Sequence, residues 1–249
     1  MRKLIACIAC SNKSTRLYGK PLQFIDIKKK ISILENIIKI LKKTNSIHEI
    51  VLAIADGSDN TIFKEYAKQY NIQYINGDSY DVLQRLIKAC RKGKGTDIFR
   101  ITSECPFFFY ELINKSWNEH IKNNYDVSFL DNVPDGTGFE IIKQKSLKYS
   151  WKYGNQRHRS ELCSLYIREN KTKFKINYIS IPKKLQRKDL RITVDNPEDL
   201  ILVRDIYNKF KTKAPFIPVS KIIKYLDLNP DKKKLVEKYI PDGLKIMYL

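Results

Sequence analysis

The feature that most constrains this fold is an alternation of short apolar runs with amphipathic segments over the first hundred residues. Apolar runs of strand length occupy residues 4–9, 49–55, 72–75 and 97–102. Segments with apolar residues at helical spacing lie between them, at residues 33–41, 61–70 and 82–90. Strands that alternate with helices are typical of a parallel sheet with helices packed on it. The sequence therefore predicts a three-layer α/β fold with ligands at the carboxyl ends of the strands.

After about residue 125 the alternation becomes less regular. Three segments alternate apolar and polar residues as sheet strands do, at residues 126–130, 139–142 and 174–179. We expect residues 126–182 to form a mixed β extension that covers the site, pairs with a second subunit, or does both. A strand at 190–194 and a helix at about 197–211 then follow, and residues 212–249 are expected to form a C-terminal helical segment. Residues 1–249 are thus predicted to be one domain.

Composition excludes several classes of protein. The 249 residues are 43% hydrophobic and 30% charged, as in ordinary globular proteins. No apolar run approaches the roughly 20 residues that span a bilayer, so we expect no membrane partner. The N-terminus lacks the pattern of a secretory leader, and we expect a cytoplasmic protein.

The formal net charge of +20 raises the question of a nucleic-acid partner. The lysines are dispersed, and short runs such as residues 28–30 and 232–234 fall where loops or exposed helix ends are expected. We therefore expect no nucleic-acid partner, and we expect the charge to attract small anionic substrates.

The five cysteines include a C-x-x-C pair, Cys7 and Cys10. That spacing occurs in redox and zinc sites, but no second pair and no nearby histidine accompanies it. Reduced, buried structural cysteines are the favoured interpretation.

A polar loop, residues 14–21, follows the first apolar run and has the sequence Ser-Thr-Arg-Leu-Tyr-Gly-Lys-Pro. A loop at the end of a buried strand offers backbone N–H groups to a ligand, and Arg16 and Lys20 add two positive charges. Polyphosphates are bound by this combination of groups. The sequence predicts a phosphate-binding loop.

Two carboxylates stand at the ends of later apolar runs. Glu104 follows the run at 97–102, and Asp195 follows the run at 190–194. Mg²⁺ typically takes one or two protein carboxylates and fills its other positions with water and phosphate oxygens. Glu104 and Asp195 are therefore candidate magnesium ligands, and the alternative is that each acid only caps a loop. Glu198 and Asp199 are expected to begin the following helix instead.

These motifs resemble the SpsF-like branch of the cytidylyltransferases, which is related to the enzymes for acylneuraminate and 3-deoxy-manno-octulosonate. The similar blocks are residues 14–20, 77–85, 100–106, 134–140 and 191–200. The resemblance implies a Rossmann-like nucleotidyltransferase fold of the GT-A-like type, often dimeric, that uses CTP and Mg²⁺. A hydroxyl of the acceptor attacks the α-phosphorus of CTP, and a CMP-linked product and pyrophosphate result.

The same resemblance implies roles for individual residues. Arg16 and Lys20 match catalytic residues that bind the triphosphate, and Glu104 and Asp195 match metal ligands. The nucleotide-binding positions are Ser11, Lys13, Ser14, Arg16, Lys20 and Arg85. Glu140 lies in one of the similar blocks, and we expect it to bind the acceptor. Arg157, His158 and Arg159 lie just upstream of a segment that corresponds to substrate-binding positions of the family, and from this proximity we expect them to bind an anionic acceptor.

Four single positions depart from the family pattern. Ser11 replaces a usual Arg, Lys13 a usual Gly, Tyr18 a usual Pro, and Glu104 a usual Asp. We expect a Mg²⁺-dependent cytidylyltransferase that couples CTP to an acidic sugar or related acid for surface glycan biosynthesis, acting as a homodimer. One alternative is a sugar-nucleotide-dependent glycosyltransferase, although the loop cations suit a triphosphate better. A second alternative, motivated by Ser11 and Glu104, is a non-catalytic nucleotide-binding relative.

Overall fold

The computed structural model describes residues 1–240 and is built on a seven-stranded sheet. The strands of the chain are β1 (Leu4–Cys10), β2 (Phe24–Asp26), β3 (Ile31–Ser32), β4 (Ile47–Ala55), β5 (Gln73–Gly77), β6 (Asp97–Arg100), β7 (Val127–Phe129), β8 (Glu140–Lys143) and β9 (Ile176–Tyr178). The order in the large sheet is β5-β4-β1-β6-β8-β7-β9, and β2 and β3 form a separate antiparallel pair.

The first half of the sheet is parallel. β1 lies between β4 and β6, with Cys7 opposite Val51 on one side and Arg100 on the other. β8 is antiparallel to both β6 and β7, and β9 runs parallel to β7. The almost continuous apolar sequence of β1 suits a central strand that is buried on both faces. The carboxyl ends of β1, β4 and β6 therefore meet at one edge of the sheet.

Helices cover both faces of the sheet. They are α1 (Ile33–Leu41), α2 (Ile62–Gln69), α3 (Val82–Lys92), α4 (Ile113–Lys122), α5 (Gln144–Tyr153), α6 (Gln156–Arg159), α7 (Leu165–Glu169), α8 (Pro197–Phe210), α9 (Val219–Asp227) and α10 (Pro230–Glu237). Short 3-10 turns occur at Lys20–Leu22, Ser58–Asn60, Tyr110–Leu112, Lys171–Lys173, Lys183–Leu185 and Lys211–Lys213. No helix within residues 1–240 is long and apolar enough to cross a membrane.

The alternation of side chains along β1 separates two hydrophobic cores. Leu4, Ala6 and Ile8 belong to one core with apolar residues of α1, α8 and α9. Ile5 and Cys7 belong to the other core with apolar residues of α3, α5 and α7. Because successive residues of a strand point to opposite faces, one apolar strand fills both cores. The predicted three-layer α/β fold is confirmed.

The chain beyond residue 110 contains more helix than the sequence predicts. Helices α4, α5, α6 and α7 were not predicted, while β7, β8 and β9 continue the large sheet. The single-domain organisation and the covering or dimerisation role of residues 126–182 stay predictions. Helices α9 and α10 occupy much of the predicted C-terminal helical segment, and residues 241–249 of that segment lie outside the described residues.

The predicted strand at 190–194 is wrong. This segment makes a single isolated bridge, between Arg191 and Asp135, and is not part of either sheet. The Ile192 N–H donates to the Asp135 carbonyl, and the Val194 N–H donates to the carbonyl of Glu104. The segment therefore bonds to two different loops and pairs with no strand. Its apolar residues are buried in a hydrophobic core, so the apolar pattern reports burial and not strand pairing.

A buried polar cluster joins the N-terminus to the second half of the sheet. His120 on α4 is fully buried, with Nδ1 2.8 Å from the Ser128 hydroxyl and Nε2 3.3 Å from Asp97. The Arg2 guanidinium also binds the Asp97 carboxylate. Burial is the main influence on the pKa of His120 and lowers it below the ordinary value, although Asp97 opposes the shift.

Because the pKa of His120 is lowered in the folded protein, the unfolded chain binds a proton more readily, and stability falls as pH falls below about 6.5. We expect the melting temperature to drop more in wild type than in His120→Gln between about pH 7.5 and about pH 5.5. His48→Gln, at an exposed histidine of β4, should behave as wild type. Parallel pH profiles for wild type and His120→Gln would contradict this expectation.

Candidate active site

The loop after β1 is closed by backbone and side-chain hydrogen bonds. The Gly19 N–H donates to the Asn12 carbonyl over 3.1 Å, and Gly19 has a φ of +62°, a conformation that favours glycine. The Asn12 N–H donates to the Asn60 side chain over 2.8 Å, which fixes the loop to the loop after β4. Lys20 then begins a 3-10 turn with Pro21. These contacts hold the loop at the carboxyl edge of the sheet.

Asp195 is surrounded by positive charge. Its Oδ1 accepts hydrogen bonds from Lys20 Nζ at 2.6 Å and from Arg16 Nη2 at 2.9 Å. Its Oδ2 accepts from Arg191 Nη2 at 2.7 Å. Burial, the largest single influence, raises the pKa of Asp195, but the bonds and charges of these cations outweigh it and lower the pKa. Asp195 is therefore held as a carboxylate, in contact with both predicted loop cations.

Arg191 joins three carboxylates and was not singled out from the sequence. Its Nε and Nη2 donate to the two oxygens of Asp199 at 2.8 and 3.0 Å, and its Nη1 donates to Asp135 at 2.6 Å. Asp199 also accepts the backbone N–H groups of Asp195 and Asn196. A buried arginine in an apolar run, with acids four and eight residues later, is the sequence signal that could have indicated this cluster.

Asp135 belongs to a turn that lies against the 190–194 segment. The next residue, Gly136, has a φ of +86°, and a Cβ there would lie 2.5 Å from the Thr193 nitrogen. Glycine is required for this close approach. The Asp135 side chain is 52% exposed. Its partial burial raises the pKa of Asp135, and Arg191 partly reverses this shift.

Glu104 is a second carboxylate at the same edge. It lies beyond the end of β6, not directly on it, and its carbonyl binds the Val194 N–H, which brings it beside Asp195. No ion pair to its side chain occurs among residues 1–240, and the nearest polar contact is the Ser103 hydroxyl at 3.4 Å. Burial raises the pKa of Glu104, Lys20 lowers it, and Asp195 raises it again.

Glu104 and Asp195 are the side chains that could hold a divalent cation. In the described part of the chain, no group of three or more His, Cys, Asp or Glu residues has the arrangement of a metal site. Two carboxylates suffice for Mg²⁺, which takes its remaining ligands from water and phosphate. The chemistry of this pair fits that ion.

Two adjoining cavities open at this edge. The large cavity has a volume of about 430 Å³ and the small cavity about 140 Å³. Both are lined by Lys20, Arg100, Ile101, Thr102, Glu104 and Glu161. Arg16, Asp135, Arg191 and Asp195 line only the large cavity, whereas Ser11, Lys13 and Arg85 line only the small one. Glu104 and Lys20 thus stand where the two cavities meet.

The small cavity brings together most of the predicted nucleotide-binding residues. Arg85 is buried and donates Nη1 to the carbonyls of Ala53 at 2.8 Å and Cys10 at 3.3 Å. Burial is the main influence on the pKa of Arg85 and lowers it. Ser14 lines neither cavity. Its hydroxyl oxygen accepts a hydrogen bond from the backbone N–H of Arg16, with 3.4 Å between the oxygen and the nitrogen.

Of the predicted acceptor-binding residues, only Glu140 lines a cavity. Its buried carboxylate is held by Arg100 Nη1 at 2.9 Å, Arg168 Nη2 at 2.9 Å and the Ser164 hydroxyl at 2.6 Å. Burial favours a raised pKa for Glu140, but Arg100 and Arg168 lower it. Glu140 is thus a charged part of the wall of the large cavity.

Arg157, His158 and Arg159 line neither cavity. His158 and Arg157 both contact Glu169, at 2.7 and 3.3 Å. The Arg159 guanidinium lies 4.7 Å from the Trp151 ring and donates to the Trp151 carbonyl. Because these side chains bind α5 and α7, their proposed role at the acceptor has no support from the geometry and stays a prediction.

All five cysteines are buried and free. Cys105 lies in the wall of the large cavity, but burial raises the pKa of its thiol to about 12, and Cys10 is shifted in the same direction. A protonated buried thiol is a poor nucleophile. The cysteines are structural, as the sequence predicts.

Comparison with known proteins identifies the family of this chain. Residues 7–228 match the profile of a family described as Cytidylyltransferase. An uncharacterized protein of Methanocaldococcus jannaschii is 29% identical over 233 residues, which cover 94% of each chain. The spore coat polysaccharide biosynthesis protein SpsF of Bacillus subtilis is 24% identical and covers 93% of this chain and 97% of its own.

Solved structures share the fold. A cytidylyltransferase from Leptospira borgpetersenii superposes with a TM-score of 0.84 at 20% identity, covering 93% of this chain and 97% of that one. A CMP:2-keto-3-deoxy-manno-octonic acid synthetase solved with CTP has a TM-score of 0.64 at 13% identity, covering 83% and 99%. The predicted Rossmann-like nucleotidyltransferase fold is confirmed.

The Arg191 cluster gives a prediction about stability. Arg191→Met leaves the fully buried Asp199 without its cation, and we expect the free energy of unfolding to fall by about 3 kcal/mol or more. Arg191→Lys keeps the charge but loses the two-pronged contact, so we expect an intermediate loss. Denaturant unfolding followed by circular dichroism measures both.

Arg187→Met is the matched control, because Arg187 also binds two aspartates, Asp189 and Asp227, but these are 46% and 42% exposed. Its loss should stay below about 1 kcal/mol. Equal losses for Arg191→Met and Arg187→Met would show that the Arg191 cluster has no special role in stability.

Proposed function

The chain belongs to the cytidylyltransferase family, and from that premise we propose that it is a Mg²⁺-dependent enzyme that couples CTP to an acidic sugar or a related acid. The observation that carries the proposal is the contact of Arg16 and Lys20 with Asp195, beside Glu104, where two cavities meet. Membership of the family identifies the chain as a nucleotidyltransferase, as predicted, and disfavours the glycosyltransferase alternative.

In this proposal the small cavity receives the nucleoside of CTP and the triphosphate extends toward Lys20. Lys13 and Arg85 line that cavity, and neither makes an ion pair with a carboxylate in residues 1–240. Lys20 and Arg16 are paired with Asp195, and a triphosphate offers the same two cations more negative charge than one carboxylate does. CTP binding would therefore draw Arg16 and Lys20 from Asp195 onto the phosphates.

Glu104 and Asp195 would hold Mg²⁺ once the loop cations bind phosphate. The two carboxylates supply oxygen ligands of the kind that Mg²⁺ prefers. Glu104 makes no ion pair with a basic side chain in the described residues, and the nearby charge of Asp195 helps to raise its pKa. When bound, Mg²⁺ would neutralise phosphate charge and favour ionised carboxylates. Arg191 would keep the Asp195 side chain in place through its second oxygen.

The reaction would be an in-line attack of an acceptor hydroxyl on the α-phosphorus of CTP. The new bond is between the acceptor oxygen and phosphorus, and the hydroxyl proton passes to water as this bond forms. The bond from the α-phosphorus to the bridging oxygen breaks, and pyrophosphate leaves with the electron pair. Lys20 and Arg16 would stabilise the charge that accumulates on the leaving pyrophosphate. Positioning of the two substrates in adjoining cavities supplies the rest of the rate enhancement.

The nature of the acceptor is supported by relatives. The SpsF protein is named for spore coat polysaccharide biosynthesis, and a structural neighbour is named as a CMP:2-keto-3-deoxy-manno-octonic acid synthetase. By analogy we propose a role in surface glycan biosynthesis. The abundance of positive charge, +20 for the chain, would attract both CTP and an anionic acceptor.

Pyrophosphate release tests the proposal. Each of the four nucleoside triphosphates is supplied with Mg²⁺ and a panel of nonulosonic, octulosonic and other sugar acids. We expect release with CTP and at least one acid, and loss of release by at least about 100-fold in Asp195→Ala, as expected for loss of electrostatic stabilisation at the reacting centre. Omission of Mg²⁺ should abolish release as well.

Asp231→Ala is the control, since Asp231 is 94% exposed on α10. It should keep wild-type activity. Thermal melting with each nucleotide separates binding from turnover: stabilisation by CTP with no release for any acceptor would favour the non-catalytic alternative. If CTP neither binds nor reacts, the proposed function is wrong.

A further inference from the structure

The large cavity is lined by six basic residues, and five of them are paired with carboxylates. These five are Arg16, Lys20, Arg100, Arg168 and Arg191. The sixth, Lys188, makes neither a hydrogen bond nor an ion pair through its side chain within residues 1–240. Lys188 is a half-buried residue of the cavity wall, and an ammonium without a counter-charge favours an anionic ligand.

The backbone on both sides of Lys188 is fixed. Arg187 binds Asp189 through two bonds of 2.8 and 2.6 Å and Asp227 on α9 through one of 2.7 Å. Leu190 is buried, and its carbonyl accepts the Asp135 N–H at 2.8 Å. Lys188 therefore extends from a segment that is held in place, which reduces the entropy lost when its ammonium binds a ligand.

A hydrogen-bond acceptor faces the same cavity. Asp135 uses one carboxylate oxygen, Oδ2, for Arg191, and its side chain remains 52% exposed. The other oxygen accepts no hydrogen bond from residues 1–240. Gly136 fixes the turn against Thr193, so the position of Asp135 is set by backbone packing. An oxygen of this kind can accept a hydrogen bond from a ligand hydroxyl.

Lys188 and Asp135 line the large cavity and not the small one. Ser11 and Lys13 line the small cavity and not the large one, and Lys20 and Glu104 line both cavities. A ligand bound by Lys188 and Asp135 therefore reaches the shared residues from the large cavity, away from Ser11 and Lys13. Those shared residues are where bond formation would take place under the proposed function.

We propose that Lys188 binds the carboxylate of the acceptor, and that Asp135 accepts a hydrogen bond from one of its hydroxyl groups. The acceptor is then a polyhydroxy acid that uses a different hydroxyl for attack on CTP. This inference rests on the proposed function, because it assigns the large cavity to the acceptor. Lys188 is a specificity-determining residue, and its loss should weaken acceptor binding without changing nucleotide binding.

The test uses the full chain saturated with Mg²⁺ and the non-hydrolysable analogue cytidine 5′-(α,β-methylene)triphosphate. Binding of N-acetylneuraminate, 3-deoxy-manno-octulosonate and gluconate is measured by calorimetry, together with the methyl ester of N-acetylneuraminate and with ribitol 5-phosphate. We expect at least one free acid to bind. Lys188→Met should weaken that acid by about tenfold or more, as loss of a charge-assisted hydrogen bond predicts.

Three matched variants complete the experiment. Lys184→Met, at an exposed lysine of the preceding 3-10 turn, should bind the acid as wild type does. Asp135→Ala should weaken the acid, whereas Asp135→Asn, which keeps a carbonyl acceptor, should stay within about threefold of wild type. The affinity for the nucleotide analogue should change less than about twofold in Lys188→Met, because Lys188 does not line the small cavity.

Several results would overturn the inference. They are absence of binding for every acid to the nucleotide-loaded chain, equal binding by Lys188→Met, and binding of the methyl ester as tight as that of the acid. Tighter binding of ribitol 5-phosphate than of any acid, lost in Lys188→Met, would show that Lys188 binds a phosphate group and not a carboxylate, and would also overturn the inference. Failure of the nucleotide analogue to bind wild type would instead contradict the proposed function, so the two failures are distinguishable.

Discussion

Three carboxylates converge on the guanidinium of Arg191, and the geometry of the candidate active site depends on that convergence. Asp199 takes two of its N–H groups, and Asp195 and Asp135 take one each. Asp199 in turn binds the backbone N–H of Asp195. The candidate metal ligand, the first turn of α8 and the turn before β8 are therefore positioned by one planar cation, for which a lysine could not substitute.

The cations of the site are paired with a carboxylate that phosphate could replace. With no nucleotide, Asp195 is neutralised by Arg16 and Lys20, which the proposed function assigns to phosphate. Buried charges need partners, and this pairing keeps both sides satisfied before substrate arrives. Glu104 is the exception, since its carboxylate lacks a cationic partner among residues 1–240 and its pKa is raised. Under the proposed function, Mg²⁺ would supply the positive charge next to Glu104.

Local patterns predicted much of the fold because they report burial directly. The apolar run of β1 and the helical spacing of α1 both lie where predicted, and the loop that follows β1 places Lys20 beside Asp195. The segment 190–194 failed because an apolar, β-branched run indicates burial and does not specify a strand partner. Arg191 was missed for a similar reason: the nearby Asp195 and Asp199 are visible in the sequence, but the contact with Asp135, 56 residues away, that completes the cluster is in no local pattern.

One wall of the large cavity comes from the end of the described chain. Tyr239 follows α10, lines the large cavity but not the small one, and its hydroxyl donates to Glu198 in the first turn of α8. Apart from Glu161, the residues that line the small cavity lie between positions 9 and 104, whereas this wall comes from beyond α8. Under the proposed function, a substitution in this wall would change the acceptor side of the site and leave the phosphate loop after β1 as it is, so the two substrates would be recognised by parts of the chain that can vary separately.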